Sequence, residues 1–184
     1  MPTLQHVQVP TGTWQIDPSH SSVAFSVRHM MVSKVRGRFA AFSGTIVTAD
    51  DELTSTTEVS IDLASIDTRD EKRDGHLLSP DFFDAANHPV ITFRSTAVEP
   101  DGDGYRLTGD LTIKGVTRPV ELAVEVGGVA QDPWGGTRVG FEASGTINRS
   151  DFGLEYNAAL ETGGVLIGDK ITLALDVEAV LQQG

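Results

Sequence analysis

Apolar and polar residues alternate along most of this 184-residue chain. Val23, Phe25 and Val27 interleave with Ala24, Ser26 and Arg28, and Val59, Ile61 and Leu63 with Glu58, Ser60 and Asp62. The pattern returns at Val120, Leu122, Val124 and Val126 against Glu121, Ala123 and Glu125, and again at Ile171, Leu173, Leu175 and Val177. Successive side chains on a strand project to opposite faces, so each segment is predicted to be a strand with one apolar face. One-sided strands argue for an antiparallel sheet, because parallel strands are buried on both faces. Such a sheet packs against another or closes on itself. If it closes, its inner face lines a cavity.

Nine strands are expected, over 14–17, 22–29, 38–48, 56–66, 90–98, 105–113, 119–127, 137–148 and 170–181. Turn residues separate them at Asp101-Gly102-Asp103-Gly104, Lys114-Gly115, Gly127-Gly128 and Asp132-Pro133-Trp134-Gly135-Gly136. Short connections between neighbours favour an up-and-down meander. Two segments break the rhythm. Thr68 with Glu71 has capping-box spacing and predicts a short helix, and Ser79-Pro80-Asp81 predicts a second helical turn. The segment 151–169 carries Phe152, Leu154, Tyr156, Leu160, Val165 and Ile167 among glycines, and reads as part of a rim or lid.

Composition narrows the function. A net charge of −12, from 14 basic and 26 acidic residues, predicts no nucleic-acid partner and disfavours an anionic membrane surface. The absence of cysteine removes disulfides, thiolate metal sites and thiol nucleophiles. No stretch approaches the roughly 20 apolar residues of a membrane helix, so no stable membrane insertion is expected. Residues 1–13 lack the basic and apolar regions of a secretory signal. The sequence as written thus predicts a cytoplasmic protein, or a periplasmic or secreted one if a leader has been removed. The division expected is an arm over 1–12 and one domain over 13–182.

Several ordered motifs resemble the YceI-like family. They are the run from His20 to His29, Gly37-Arg38-Phe39 with Phe42-Ser43-Gly44, Ser65-Ile66-Asp67-Thr68, and Lys72-Arg73-Asp74-Gly75-His76-Leu77 followed by Asp81-Phe82-Phe83-Asp84. Pro89-Val90-Ile91-Thr92-Phe93, the run from Gly109 to Thr117, and the run from Ile147 to Gly153 continue the likeness. The resemblance implies a lipocalin-like antiparallel β-barrel of about eight strands with a short helical insert. It also implies an elongated apolar pore that binds a polyisoprenoid or isoprenoid quinone lipid.

The candidate pore residues are Phe25, Val27, Phe39, Phe42, Ile61 and Leu63 from the first half of the chain. Phe82 and Phe83 are candidates from the helical cover, and Phe93, Leu111, Ile113, Leu122 and Val124 from the middle strands. Phe141, Ala143, Ile147 and Phe152 complete the set. Arg73, Asp74, His76, Asp84, Asn148 and Asp151 are candidates for the ligand head or the rim. Gly44, Gly109 and Gly145 would let a tight barrel bend or leave room beside a ligand. No cofactor is expected. No metal is expected either, since the histidines lack the spacing of a local ligand pair.

A carrier needs no catalytic group. Two other readings stand beside it: an enzyme acting on an apolar isoprenoid-type substrate with His76 as base and Arg73 as electrostatic partner, and a stress-response structural protein whose barrel is filled. Pairing of two copies as a homodimer is left open.

Overall fold

The computed structural model describes residues 8–30, 32–157 and 167–183. The strands, in chain order, are β1 (Gly12–Ile16), β2 (Ser22–His29), β3 (Ser33–Phe39), β4 (Phe42–Thr48), β5 (Thr56–Asp62) and β6 (Ile66–Asp67). After helix α1 (Glu71–Leu78) come β7 (Val90–Asp101), β8 (Gly104–Ile113), β9 (Val116–Gln131), β10 (Thr137–Asn148) and β11 (Ile167–Leu181).

These segments make eight spans. β1 and β2 lie end to end along one edge of β11, with Trp14 opposite Leu181 and Val23 opposite Leu175. β4 and β3 pair with β1 and β2, and β5 and β6 pair in turn with β4 and β3. From there β7 to β11 follow as hairpins, and β11 closes on the first span. The result is a closed antiparallel barrel in which each span pairs with its neighbour in sequence.

Three adjacent spans are broken at one level, which the alternation does not reveal. The expected strands 38–48 and 56–66 are each interrupted. In the first span Asp17 accepts from the Ser19 amide at 3.0 Å and starts a 3-10 turn at Pro18–His20. In the third, Asp62 accepts from the Ala64 amide at 3.0 Å and starts another at Leu63–Ser65. The middle span breaks at Ala40 and Ala41, which bond to Ser65 and Asp62 across the gap. Aspartate side chains that satisfy amides two residues on compete with the strand ladder, and here they win.

Three local expectations are corrected. Gly127 and Gly128 do not turn the chain but sit within β9, where the register shifts between Gly140 and Phe141. The reversal follows at Asp132, whose carboxylate accepts from the Trp134 and Gly136 amides. α1 is capped by Asp70, which accepts from the Arg73 amide at 3.1 Å, not by Thr68. Thr68 donates instead to Asp74, from its amide at 3.0 Å and its hydroxyl at 2.5 Å. No second helix follows: Ser79 ends α1, and residues 80–83 form turns bonded back to it.

The interior has two apolar clusters, one at each end of the barrel. One gathers Phe39, Leu63, Ile66, Ile91, Phe93 and Phe152 with their neighbours, and the other Trp14, Ile16, Phe42, Ile46, Val139 and Ala179. Trp14 is fully buried, and its indole donates to Thr48 Oγ1 at 3.0 Å.

Candidate functional site

Two cavities follow one another inside the barrel, of about 440 Å³ and about 170 Å³. Ile16, Val59, Phe93, Leu175 and Val177 line both, so they form a waist between two chambers of one tube. The larger chamber lies toward the α1 end, and the smaller one toward the β4–β5 and β7–β8 connections. Twelve residues of β10, at about 3.3 Å each and tilted by roughly 40°, give a barrel about 30 Å tall.

The structure brings most of the expected pore residues onto these walls. Phe25, Val27, Phe39, Phe42, Ile61, Phe82, Phe83, Leu111, Ile113 and Ile147 line the larger chamber. Val124, Phe141 and Ala143 line the smaller one, and Phe93 stands at the waist. Leu63, Leu122 and Phe152 face neither chamber; they are packed into the core cluster around the larger one. Leu63 departs because the turn at Leu63–Ser65 ends the strand alternation.

The rim residues divide in the same way. Arg73 and His76 line the larger chamber. Arg73 donates from Nε to Thr68 Oγ1 at 2.9 Å and from its second amino group to the Thr68 carbonyl at 2.6 Å, which fastens α1 to the end of β6. The His76 ring lies 2.9 Å from Asp81 and makes edge contacts with Phe82 and Tyr156, at centroid distances of 5.1 and 4.9 Å. Asp74, Asp84, Asn148 and Asp151 do not line it. Asp74 holds Thr68, Asp84 accepts from Asn87, Asn148 precedes a 3-10 turn, and Asp151 offers its carbonyl to Arg118. Leu160 and Val165 lie outside the described residues.

Arg149 is the site residue that sequence reasoning passed over. It is 6% exposed and lines the larger chamber. Its guanidinium donates to four carbonyls: Gly168 at 2.9 Å, Leu154 at 2.6 Å, Tyr156 at 2.9 Å and Ile167 at 3.2 Å. Burial lowers its pKa from the ordinary arginine value, and the charge of Asp169 opposes that shift. The signal was available, since Ala143, Gly145, Ile147 and Arg149 share one parity on β10 and its continuation. Leu154 and Tyr156 also line the chamber, from an irregular segment without any periodicity.

The chemistry of the lining is one-sided. The larger chamber's basic groups are Arg28, His29, Arg73, His76 and Arg149, and no carboxylate is among its described lining residues. Apart from Thr68 its walls are otherwise aliphatic and aromatic, whereas the smaller chamber also carries Thr48, Glu52, Ser55, Thr57 and Tyr105. The tube can therefore take a long apolar body, with basic groups gathered at one end. Among the described residues, the one cluster with metal-ligand geometry is Asp17, His20 and Glu178, outside these linings. Arg138 already occupies it, 2.9 Å from Asp17 and 2.8 Å from Glu178.

Comparison with known proteins agrees with this architecture. The model of the YceI-like domain matches residues 14–179. The chain belongs to the YceI-like family. Protein YceI of Escherichia coli O17:K52:H18 is 39% identical over 166 residues, covering 89% of this chain and 83% of the relative. The crystal structure of BcnA from Burkholderia cenocepacia superposes with a TM-score of 0.75 at 27% identity, over 89% of this chain and 98% of that one. A polyisoprenoid binding domain from Saccharophagus degradans, described as implicated in plant cell wall breakdown, superposes with a TM-score of 0.70 over 94% of this chain and all of that one. Its 19% identity makes it a likeness of fold. No helix among the described residues is long and apolar enough to cross a membrane.

Proposed function

We propose that this YceI-like barrel binds a polyisoprenoid lipid or an isoprenoid quinone and sequesters or carries it without chemical conversion. The observation that carries the reading is the two-chambered, largely apolar tube with its basic groups confined to one end. A slender hydrocarbon tail suits both chambers. Burying several hundred Å² of tail at about 25 cal/mol per Å² amounts to roughly 10 kcal/mol gross, before ordering costs. Arg73, His76 and Arg149 would face a head that accepts hydrogen bonds, such as a quinone carbonyl or a phosphate oxygen. The polyisoprenoid binding of the Saccharophagus degradans domain supports the same ligand class.

An enzymatic reading draws on the His76–Asp81 pair at the chamber wall. One experiment separates the two. Wild type, Arg73→Ala and His76→Ala are incubated with a polyprenyl phosphate and with an isoprenoid quinone, then extracted into organic solvent and analysed by mass spectrometry. A carrier returns every lipid unchanged, shows a melting temperature raised by bound lipid, and releases it faster in Arg73→Ala. Conversion that disappears in His76→Ala while binding persists would establish an enzyme, because losing a general base costs about 10²- to 10⁴-fold in rate. Empty extracts with no shift in melting temperature would remove the lipid reading.

A further inference from the structure

The charge of this chain is unevenly placed. From Pro18 to Ala49 there is no Asp or Glu, although the chain has 26 of them. The same run contains Arg28, Lys34, Arg36 and Arg38. In the β2–β3 hairpin, Arg28 pairs with Lys34, Ser26 with Arg36 and Ala24 with Arg38, which puts all four cations on one face. Val23, Phe25, Val27 and Val35, on the opposite face, line the chamber, so Lys34, Arg36 and Arg38 point outward, while Arg28 is exposed and also borders the chamber. All four cations are exposed. Arg38 has a partner in Asp67 at 3.6 Å, whereas no described carboxylate lies within ion-pair distance of Arg28, Lys34 or Arg36. Asp169, on the neighbouring strand, is taken by the Ser150 amide and hydroxyl.

The tip of this hairpin is apolar. Met30 is 44% exposed and Val32 is 80% exposed, and Met30 takes a positive φ that turns the chain out of β2. Directly below, His29 belongs to the wall of the larger chamber, as do its strand partner Ile167 and Tyr156. A basic face beneath an exposed apolar tip, beside the donor-lined end of an apolar tube, is complementary to one kind of surface. Phosphate head groups meet the cations while the tip reaches the acyl boundary.

We propose that the β2–β3 hairpin docks this protein reversibly on an anionic lipid bilayer, with the larger chamber facing the membrane. Whole-chain charge argues against such a surface only if charge is spread evenly. Within a Debye length of roughly 8–10 Å the local face governs. A second role for Lys34 and Arg36 is also physical. β3 meets β6 only at Arg38 and Phe39, so Ser33 to Gly37 form an open edge, and charged residues protect open edges from pairing with other chains. Protection works with charge of either sign. Docking needs positive charge, and edge protection does not account for the exposed Val32.

The test is flotation of the full chain with vesicles of phosphatidylcholine alone or mixed with phosphatidylglycerol, at low and high salt. Wild type is expected to float with the mixed vesicles at low salt and to detach at high salt. The double variant Lys34→Glu with Arg36→Glu keeps the edge charged and should keep the wild type's oligomeric state, yet bind at least 25-fold more weakly, from about fivefold per cation removed. Val32→Asp should also weaken binding. Trp134 is 84% exposed on the β9–β10 turn at the opposite end of the barrel. Its fluorescence should not change on docking, and Trp134→Ala should bind as wild type does. The proposal is overturned if wild type ignores both vesicles or binds them equally. Variants that bind like wild type, or a Trp134 emission that shifts to the blue, would also overturn it. Binding of an RNA oligonucleotide in place of vesicles would assign the basic face to a different partner and end the proposal. Lipid extracted from the same samples reports separately on the ligand, so failure here leaves the carrier reading unaffected.

Discussion

Gly109 leaves the space that the Phe93 ring occupies: a Cβ at Gly109 would overlap the ring edge and crowd the Arg94 carbonyl. The two residues sit on neighbouring strands, and Phe93 forms part of the waist between the chambers. Gly44 serves Ile16 in the same way, and Gly145 leaves room for Leu122. These three strand glycines thus make space for interior side chains. Gly109→Ala is expected to displace Phe93 at a cost of roughly 1–3 kcal/mol, as overpacking does. Thermal unfolding and the chain length of retained lipid check this together. A variant unchanged in both would show that Phe93 does not set the waist.

Ala143 lines the smaller chamber and lies opposite Val124 and Leu175. Ala143→Trp should fill that chamber while leaving the larger one open. The lipids extracted from this variant are expected to shift toward shorter tails, with bound lipid still present. An unaltered distribution of tail lengths in the folded variant would mean that tails end above the waist.

Arg149 joins the segment after β10 to the start of β11 through the four carbonyls it binds. Arg149→Met removes a charge and leaves those carbonyls without this donor, at an expected cost of about 2–4 kcal/mol. For a chain of this size, each kcal/mol lowers the melting temperature by roughly 2–4 °C. Arg149→Lys should recover little, because one ammonium cannot reproduce the planar fork. A melting temperature that is the same in all three proteins would refute the assigned role.

Two groups make stability depend on pH at opposite ends of the scale. Hydrogen bonds from Ser19, Arg138 and His20 hold the Asp17 carboxyl well below the usual carboxylate range. A depressed folded pKa stabilises the fold above the unfolded value near 4, and that contribution is lost as pH falls toward the folded value. Asp17→Asn should therefore be less stable than wild type at neutral pH, by about 1–2 kcal/mol, with the gap closing in acid. Burial, with a hydrogen bond to Glu52, pushes the Tyr105 phenol up to about 12. A raised folded pKa stabilises below the unfolded value near 10 and is lost as pH rises from there through about 12. Tyr105→Phe should lose that alkaline slope. Melting curves that run parallel to wild type across either window would contradict the corresponding assignment.

Much of the barrel was legible in local pattern. Alternation located β2 and β10 with the bounds they have in the structure, and it assigned Phe25, Val27, Ile61, Phe93 and Phe141 to the inner face. The hairpin turns at Asp101–Gly104 and Lys114-Gly115 were legible for a similar reason, since glycine at a positive φ is a local requirement that a sequence displays. The cap of α1 was misassigned. Thr68 and Asp70 are both competent caps, and what decides between them is the bond of Thr68 to Asp74, a choice made by how the helix meets β6.

Strand periodicity, turn chemistry and the low content of basic residues are properties of near neighbours, and from them the sequence alone determined an antiparallel one-sided sheet able to enclose an apolar interior. The tertiary structure decided where three spans break, that five side chains from four spans form a waist, and that Arg149 is a buried cation in the chamber wall. It also showed that Arg28, Lys34 and Arg36 stand together on one hairpin of an acidic protein, with no described carboxylate within ion-pair distance. These features depend on partners distant along the chain, such as Ser65 for Ala40 and Gly168 for Arg149. Closure of the barrel brings such partners together, and pairwise contact at that separation leaves no periodic mark in the sequence.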